Sequence, residues 1–493
     1  MNFNKRLINS PKITKHMSEE LGITVKKDKD FSEWYTQVIQ KAGLIEYTDV
    51  SGCYILRPYI YEIWETIQEY FNKKIKEKGV KNASFPLLIP ESLLKKESEH
   101  VKGFTPEVAW VTESGSTKLN ERLAIRPTSE TIIYAAYSKW IRSHKDLPLK
   151  INQWANIIRW EFKTPIPFLR SREFLWQEGH TAFATKEEAN TEVLDILDLY
   201  REVFEELYAI PVFKGIKSDK EKFAGALYTT SIETFLGNGK AIQCGTSHCL
   251  GQNFAKAFDI KFLDEKGKKQ FVWQNSWGIS TRSIGIMILM HGDDKGLIIP
   301  PKIAPIQVAL VPIIFEDSKK QILKKSNEIK EKLKEIKIII DDRDGYTPGF
   351  KFNEWELKGV PIRLELGPKD LEKDQVVVVR RDTGKKEFIS IKELSKKIPN
   401  LLEEIQNNLL KKAKKNLEEN IIEVKTINEF KKAIENKKLV KAIWCGKEDC
   451  EEKIKTETSA KSLNIPFNQK KQKGKCFHCN KETDYYAYFG KSY

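Results

Sequence analysis

The stretch IIRWEFKTPIPFLRSREFLWQEGH, residues 157–180, reads as two strands, IIRWEF and REFLWQEGH, joined by a proline-bearing loop. Side chains alternate between faces along a strand. Arg159 and Glu161 therefore share one face of the first strand, with Ile158, Trp160 and Phe162 on the other. In the second strand Arg172, Phe174, Trp176, Glu178 and His180 fall together, opposite Leu175 and Gln177. A solvated face with surface ion pairs, each contributing about 0 to 1 kcal/mol, accounts for the charges. It does not account for Phe and Trp interleaved among them, which favour partial burial. The pattern points to a sheet face that walls a charged, aromatic-lined pocket.

Outward from this hairpin, Ile60, Ile63, Ile67, Tyr70 and Phe71 recur at helical spacing within 54–78, and Gly79 follows. ASFPLLIP, 83–90, is strand-like. TSETIIYAAYSKWIR, 128–142, reads as a helix entered through Thr128 or Ser129, and 187–208 as an amphipathic helix. GKKQFVWQNSWGIST, 267–281, is strand-like and runs into RSIGIMILM, a buried helix. Strands from separated places with helices between them predict an α+β domain over residues 1–298. IIPPKIAPIQ, 298–307, is a proline-rich linker candidate. Beyond it, strands at IQVALVPIIF, IKIIIDD, VPIRLEL and DQVVVVRR alternate with helical runs, which predicts an α/β domain with a largely parallel sheet over 303–398. Residues 399–440 read as Lys- and Glu-rich helix, opening a C-terminal domain over 399–493.

The chain has 493 residues, 40% hydrophobic and 11% aromatic, enough for several real cores. Its formal net charge of +15 suits a polyanionic partner or an acidic membrane surface, and equally a plain Lys-rich surface. No run approaches the roughly 18 apolar residues of a membrane helix. The N-terminal MNFNKRLINSPKITKHMSEEL lacks the apolar core of a signal peptide. The expectation is a cytoplasmic protein with no membrane association. Of seven cysteines, Cys445, Cys450, Cys476 and Cys479 crowd the tail as C-x4-C and C-x2-C, which suggests metal rather than a disulfide framework.

Arg282 opens the buried helix after Ser280 and Thr281. A cation there opposes the helix dipole by about 0.3 to 1 kcal/mol, which makes sense if an anion occupies that helix end. There is no glycine-rich G-x-x-x-x-G-K-[ST] loop and no G-x-G-x-x-G turn after a strand. Phosphate, if bound, is held by arginines and strands. Thr128 and Glu130 stand where a strand turns into a helix, and on their own read as an N-cap with a first-turn acid. QCGTSHCLGQNF, 243–254, gathers Gln243, Thr246, Ser247 and His248 between glycines. Its cysteines and histidine fit no common zinc spacing, so it reads as a polar loop lining a site.

Taken together these segments resemble class II aminoacyl-tRNA synthetases. IIRWEF…LRSREF is similar to the second motif of the class, GISTRSIGIMIL to the third, and ILRPYIYEIWETIQEYF…NASFPLLIP to the first, which implies a homodimer. More closely, SGCYILRP, PEVAWVT, IRPTSET, REFLWQEGHTAFAT, CGTSHCLGQNF, NSWGISTR, TPGFKFNEWELKGVPIRLELGPKD and the final YFGKSY resemble prolyl-tRNA synthetases of the eukaryotic and archaeal type. That resemblance implies an antiparallel-sheet catalytic domain, an α/β anticodon-binding domain and a small zinc-binding α/β domain. It implies that L-proline and ATP give prolyl-adenylate, and that proline then passes to the 3′ end of tRNA(Pro). Arg159 and Arg282 become the catalytic cations. Thr128, Glu130, Arg159, Phe174, Trp176, Glu178, His180 and His248 become the proline site. Arg159, Glu161, Arg170, Ser171, Gln243, Thr246, Ser280 and Arg282 become the ATP site, with Gln243 also serving Mg2+. The stretch between the second and third motifs is too short for the large editing insertion of bacterial-type relatives.

In the middle domain the resemblance points to Arg343, Phe350, Lys351 and Glu354 as anticodon contacts, since aromatics stack on splayed bases while charges read edges and phosphates. It supports a structural Zn2+ on Cys445, Cys450, Cys476 and Cys479, with His478 as a possible replacement ligand, and a tail that packs back on the catalytic domain. The rival readings are a synthetase for threonine or serine and a synthetase-like RNA-binding protein without catalysis. FLWQEGH favours proline, and the presence of Arg159, Arg170 and Arg282 favours an enzyme.

Overall fold

A computed structural model describes residues 22–100, 107–467, 469 and 473–493, with side chains for all of these except 96–100. The N-terminal segment read as lacking a signal-peptide core, residues 1–21, lies outside the described residues.

Helix α1, Pro58–Glu77, begins on a proline, which loses no hydrogen bond at the first helical position. Its Ile60, Ile63, Trp64, Ile67, Phe71 and Ile75 form one buried stripe. The chain then turns at Gly79, whose φ of +80° suits glycine. The catalytic sheet is built from β1 Lys81–Asn82, β2 Leu149–Ile158, β3 Glu173–Phe183, β4 Phe213–Ile216, β5 Tyr228–Phe235, β6 Lys240–Gly251 and β7 Trp273–Ser280. The strands from β2 to β7 pair antiparallel in the order β2-β3-β7-β6-β5-β4. Helices α2 Glu130–Trp140, α3 Lys186–Glu202 and α4 Arg282–His291 accompany this sheet. The core around α1, α3 and α4 gathers Trp64, Phe71, Tyr200, Trp277 and Ile286. Gly179 allows Trp277 to lie across the sheet, because a Cβ there would meet the indole at 2.2 Å.

The anticodon-type domain holds β8 Val308–Pro312, β9 Ile338–Ile340, β10 Ile362–Leu366, β11 Gln375–Arg380 and β12 Lys386–Ser390, ordered β9-β8-β10-β11-β12. β8 runs parallel to β9 and β10, but β10, β11 and β12 pair antiparallel. The expected largely parallel sheet is therefore half antiparallel, because the hairpin from β11 to β12 needs no crossover helix. Helices α5 Lys319–Lys332 and α6 Pro348–Leu357 accompany it. The proline-rich segment 298–307 is a buried joint rather than an exposed linker: Ile299, Ile303 and Ala304 lie in the catalytic core, and Pro301–Ile303 forms a single helical turn.

Helix α7, Leu394–Asn420, contributes Leu394, Ile398, Leu401, Leu402, Ile405 and Leu409 to the core of the middle domain, so a division at residue 399 falls inside it. The helix ends at Asn420 instead of continuing to 440. Strands β13 Ile421–Val424, β14 Leu439–Ile443, β15 Lys461–Pro466 and β16 Tyr486–Ser492 follow, with helix α8 Glu448–Thr458 between β14 and β15. These strands extend the catalytic sheet to eleven strands, in the order β13-β14-β16-β15-β4-β5-β6-β7-β3-β2-β1. β15 pairs with β4, and β16 also meets β6 at Ala241 and Ser492. The tail does pack back on the catalytic domain. Among the described residues, no helix is long and apolar enough to cross a membrane.

Candidate active site

One cavity of about 250 Å³ opens on the sheet face made by β3, β6 and β7. Alternation along β3 aims Phe174, Trp176, Glu178 and His180 into it, while Gln177 on the opposite face accepts from the Tyr200 hydroxyl at 2.7 Å. On β6 a bulge does the aiming. Gly245 pairs with Ile232 and Gln243 with Glu233, leaving Cys244 as an extra residue. Strict alternation would turn Gln243 away from Thr246 and His248. The bulge re-aims it, and all three line the cavity. Residues 243–251 are thus strand and not the loop expected, since a bulged strand of Thr, Ser and Gly carries no clean period in the sequence.

The first strand of the opening hairpin stops at Ile158. Arg159 and Glu161 therefore lie in the turn, and their shared strand face does not form. The Arg159 amide donates to the Arg172 carbonyl at 2.8 Å, closing the hairpin. The Arg159 side chain reaches the cavity past Phe174 and Trp176, at 5.6 and 5.5 Å from their rings, and donates to the Pro127 carbonyl at 3.3 Å. Arg282 enters from the start of α4 and donates to the Leu169 carbonyl at 3.2 Å. Both guanidinium groups are tied to backbone carbonyls rather than to carboxylates. Burial, with Arg159 and Arg170 nearby, pulls Arg282 down to about 10.

Around Glu178 the charges are of the other kind. Burial would raise this carboxyl, but donors from His180 at 3.0 Å, Gln153 at 2.9 Å and the Ser129 hydroxyl outweigh it and hold it below the usual range. Burial would lower His180, yet Glu178 and Glu130 raise it, so the two form an ion pair. Glu130 is raised chiefly by burial, with Glu178 adding to the rise and His180 opposing it, and it accepts from the Thr128 hydroxyl. That bond, and the bond from Ser129 to Glu178, replace the helix cap expected: α2 has no side-chain N-cap. His248 is pushed down to about 3 by burial, then by His180 and Arg159, so it is neutral. It bonds the Thr229 hydroxyl at 2.9 Å and packs against Phe223 at 4.8 Å.

Arg159 feels the charges of Glu161, Glu130 and Glu178, and Arg282 feels that of Arg159. The cavity is accordingly graded, from an acidic cluster through Arg159 to Arg282. It gathers Thr128, Glu130, Arg159, Phe174, Trp176, Glu178, His180, Gln243, Thr246, His248, Ser280 and Arg282. Glu161, Arg170 and Ser171 are not on its wall. Ser171 lines a neighbouring apolar cavity with Phe168 and Thr281, while Glu161 and Arg170 act on the site only through their charge. Glu221, Phe223, Thr229 and Ser276 also line the main cavity. The sequence carried no signal for the first two, which sit on an irregular loop. Arg172 and Glu173 hold the hairpin: Arg172 donates to Phe162 and Ser51 carbonyls at 3.2 and 3.1 Å, and Glu173 accepts from Asn156 at 2.8 Å.

In the tail, the sulfurs of Cys445, Cys450, Cys476 and Cys479 lie within 4.8 Å of one another. Cys450 and Cys476 are 3.8 Å apart, and Cys445 and Cys479 are 3.6 Å apart. Four thiolates at about 2.3 Å around one tetrahedral ion would be separated by about 3.8 Å, so the donor set fits a structural metal. The Cys450 thiol and nearby backbone amides favour the thiolate of Cys476. The His478 ring bonds Cys450 through Nδ1 at 3.5 Å and Glu457 through Nε2 at 3.2 Å, placing it beside the thiolates.

In the middle domain Arg343 is spent within the fold. It donates to Asp341 at 2.8 and 2.7 Å and to Glu354 at 2.5 Å. Lys351 points inward, giving its ammonium to the Asp341 carbonyl at 3.0 Å, so it is not at the surface. Phe350 packs against the exposed Tyr346, which sequence reading passed over, with ring centroids 4.7 Å apart and planes tilted by 32°.

Sheet, motif spacing and graded cavity define a class II aminoacyl-tRNA synthetase. The family described as tRNA synthetase class II core domain (G, H, P, S and T) matches residues 110–291, an anticodon binding domain 307–401, and the prolyl-tRNA synthetase C-terminal family 427–493. The proline–tRNA ligase of Arabidopsis thaliana, named cytoplasmic, is 53% identical over 96% of this chain and 91% of its own. That of Natranaerobius thermophilus is 51% identical over 96% and 98%. A crystal structure of prolyl-tRNA synthetase from Cryptosporidium parvum, complexed with halofuginone and AMPPNP, superposes with a TM-score of 0.92 at 53% identity, covering 96% of this chain and all of that one. The chain belongs to the prolyl-tRNA synthetase family.

Proposed function

We propose that this chain activates L-proline with ATP and transfers it to tRNA(Pro), with the graded cavity as the site of both steps. The observation that carries the residue roles is the pair Arg159 and Arg282 on one cavity wall, free of carboxylate partners, next to the cluster of Glu130, Glu178 and His180. An amino acid and a polyphosphate need that sequence of charges. The prolyl ammonium meets Glu130 and Thr128. Glu178 holds His180, and both shape the pocket that takes the ring together with Phe174, Trp176 and His248. The carboxylate attacks the α-phosphorus of ATP, the bond to the bridging oxygen breaks, and pyrophosphate leaves. Arg159 spans carboxylate and α-phosphate, where a forked, permanently charged donor suits two oxyanions. Arg282 holds the outer phosphates, and the anion relieves its conflict with the helix dipole.

ATP binding is supported by the AMPPNP held by the C. parvum relative. Beside Arg282 the cavity wall offers Gln243, so Mg2+ would be held mainly by phosphate oxygens, as is usual for that ion. Zn2+ suits the four thiolates of the tail, where it would tie α8 to the residues around Cys476. A homodimer is supported by exposed Tyr47, Val50, Ile55, Tyr61, Leu87 and Leu88 on and beside the segment resembling the first motif. Anticodon contacts fall to Phe350 and its neighbours, and a cytoplasmic location is supported by the A. thaliana relative's name. Amino-acid-dependent ATP–pyrophosphate exchange across a panel tests the assignment. Exchange with proline is expected. Exchange with threonine or serine instead would overturn the substrate, and no exchange would favour the RNA-binding reading.

A further inference from the structure

The loop over 217–227, between β4 and β5, carries Glu221 and Phe223 onto the cavity wall. Phe223 packs on His248, and its amide donates to the Thr229 hydroxyl that also holds His248. The loop therefore closes the end of the cavity where His180 and His248 lie. Asn253 donates to its Gly225 carbonyl at 2.8 Å from within the catalytic domain, and the C-terminal module grips it as well. Lys461 of β15 donates to Glu221 at 2.7 Å. Glu451 of α8 accepts from the Ser218 hydroxyl at 3.1 Å and from Ser462, and Glu452 pairs with Lys220. Glu451 and Ser218 are buried, the Lys461–Glu221 pair is partly buried, and the Lys220–Glu452 pair lies at the surface.

We infer that the C-terminal module sets the proline site through this grip, with Lys461 and Glu451 as positioning residues for Glu221 and Phe223. Neither reaches the cavity. Lys461 fixes Glu221, which does, and Glu451 fixes Ser218, whose hydroxyl accepts from the Glu221 amide at 3.2 Å; the loop has no helix or strand of its own to hold it. Releasing the grip lets the Phe223 side of the pocket open, which weakens the hold on a small apolar ring while leaving the arginines in place. The module thus belongs to substrate recognition as well as to packing.

The inference rests on the reading that this end of the cavity takes proline. The test is pyrophosphate exchange at varied proline and ATP with wild type, Lys461→Ala, Lys461→Arg, Glu221→Ala and Lys461→Ala/Glu221→Ala. Lys461→Ala is expected to raise KM for proline about threefold to fivefold, the scale of a partly buried ion pair, with KM for ATP and the melting midpoint unchanged. Lys461→Arg is expected to restore most of the loss. The double variant is expected to bind proline no more weakly than Glu221→Ala alone, since the lysine acts only through that carboxylate. An unchanged KM for proline in Lys461→Ala overturns the inference, and so does an equal rise for proline and ATP with a lowered melting midpoint. Absence of proline-dependent exchange in wild type would instead overturn the functional reading beneath it.

Discussion

Arg159 and Arg343 carry the same guanidinium into opposite surroundings. In the catalytic cavity Arg159 bonds one backbone carbonyl and leaves the rest of its fork free, and Arg282 beside it does the same. In the middle domain Arg343 is saturated by Asp341 and Glu354, and its ring neighbour Tyr346 lies 5.0 Å away. A charged residue in a site-like sequence is available to a ligand only when the fold leaves it unsatisfied. The cavity meets that condition through burial among aromatics, whereas the middle-domain stretch uses its charge to hold a loop and leaves Tyr346 exposed and Phe350 half-buried.

The largest effect expected from this contrast is at Arg159. Replacing it by Ala should cost about 100-fold to 1000-fold in proline-dependent pyrophosphate exchange, the scale of a lost oxyanion donor, with tRNA binding retained. A loss under tenfold would remove Arg159 from the mechanism and erase the distinction. Next comes Glu130, whose carboxyl is held above the usual range near 4.3 chiefly by burial. Because its proton is held to higher pH than on a free carboxyl, the charge proposed to meet the prolyl ammonium is lost as pH falls through that raised value. KM for proline should climb on the acid side before ordinary carboxylates titrate. Glu130→Gln should raise KM about tenfold or more and flatten the acid limb, and an acid limb that survives the substitution assigns it to another group. The smallest effects lie in the middle domain. Phe350→Ala should weaken tRNA(Pro) binding by about 1 to 3 kcal/mol, the worth of one stacked base, and leave exchange untouched. Arg343→Ala should cost about 1 to 2 kcal/mol of domain stability without altering exchange. If Arg343→Ala weakens tRNA binding more than Phe350→Ala does, the saturated charge is a contact after all.

Much of this was legible in the sequence, and its gaps have physical causes. The period-two pattern of Phe174, Trp176, Glu178 and His180 placed the cavity, because β3 is regular there. It failed one residue past Ile158, where the strand ends and Arg159 reaches the same cavity from a turn. The bulge at Cys244 hid a strand, since one extra residue breaks the alternation that announces it. Glu221 and Phe223 were invisible because their place is set by β15 and α8, far along the chain. Lys351 looked exposed only because local pattern cannot report that Asp341 waits beneath it. Proline itself was never readable from spacing; it came from likeness to a family.

The joining of β15 and β16 to β4 and β6 has a consequence for how the molecule forms. Strands that neighbour in the sheet come from the middle and the end of the sequence, with Asn464 of β15 bonded to Phe213 of β4 across 251 residues, so the pairing must close a very long stretch of chain. Such nonlocal closure is slow, and until it happens β4 keeps a bare edge of unpaired amides and carbonyls open to other chains. The tail therefore covers that edge, and a chain cut short before β15 would leave it bare.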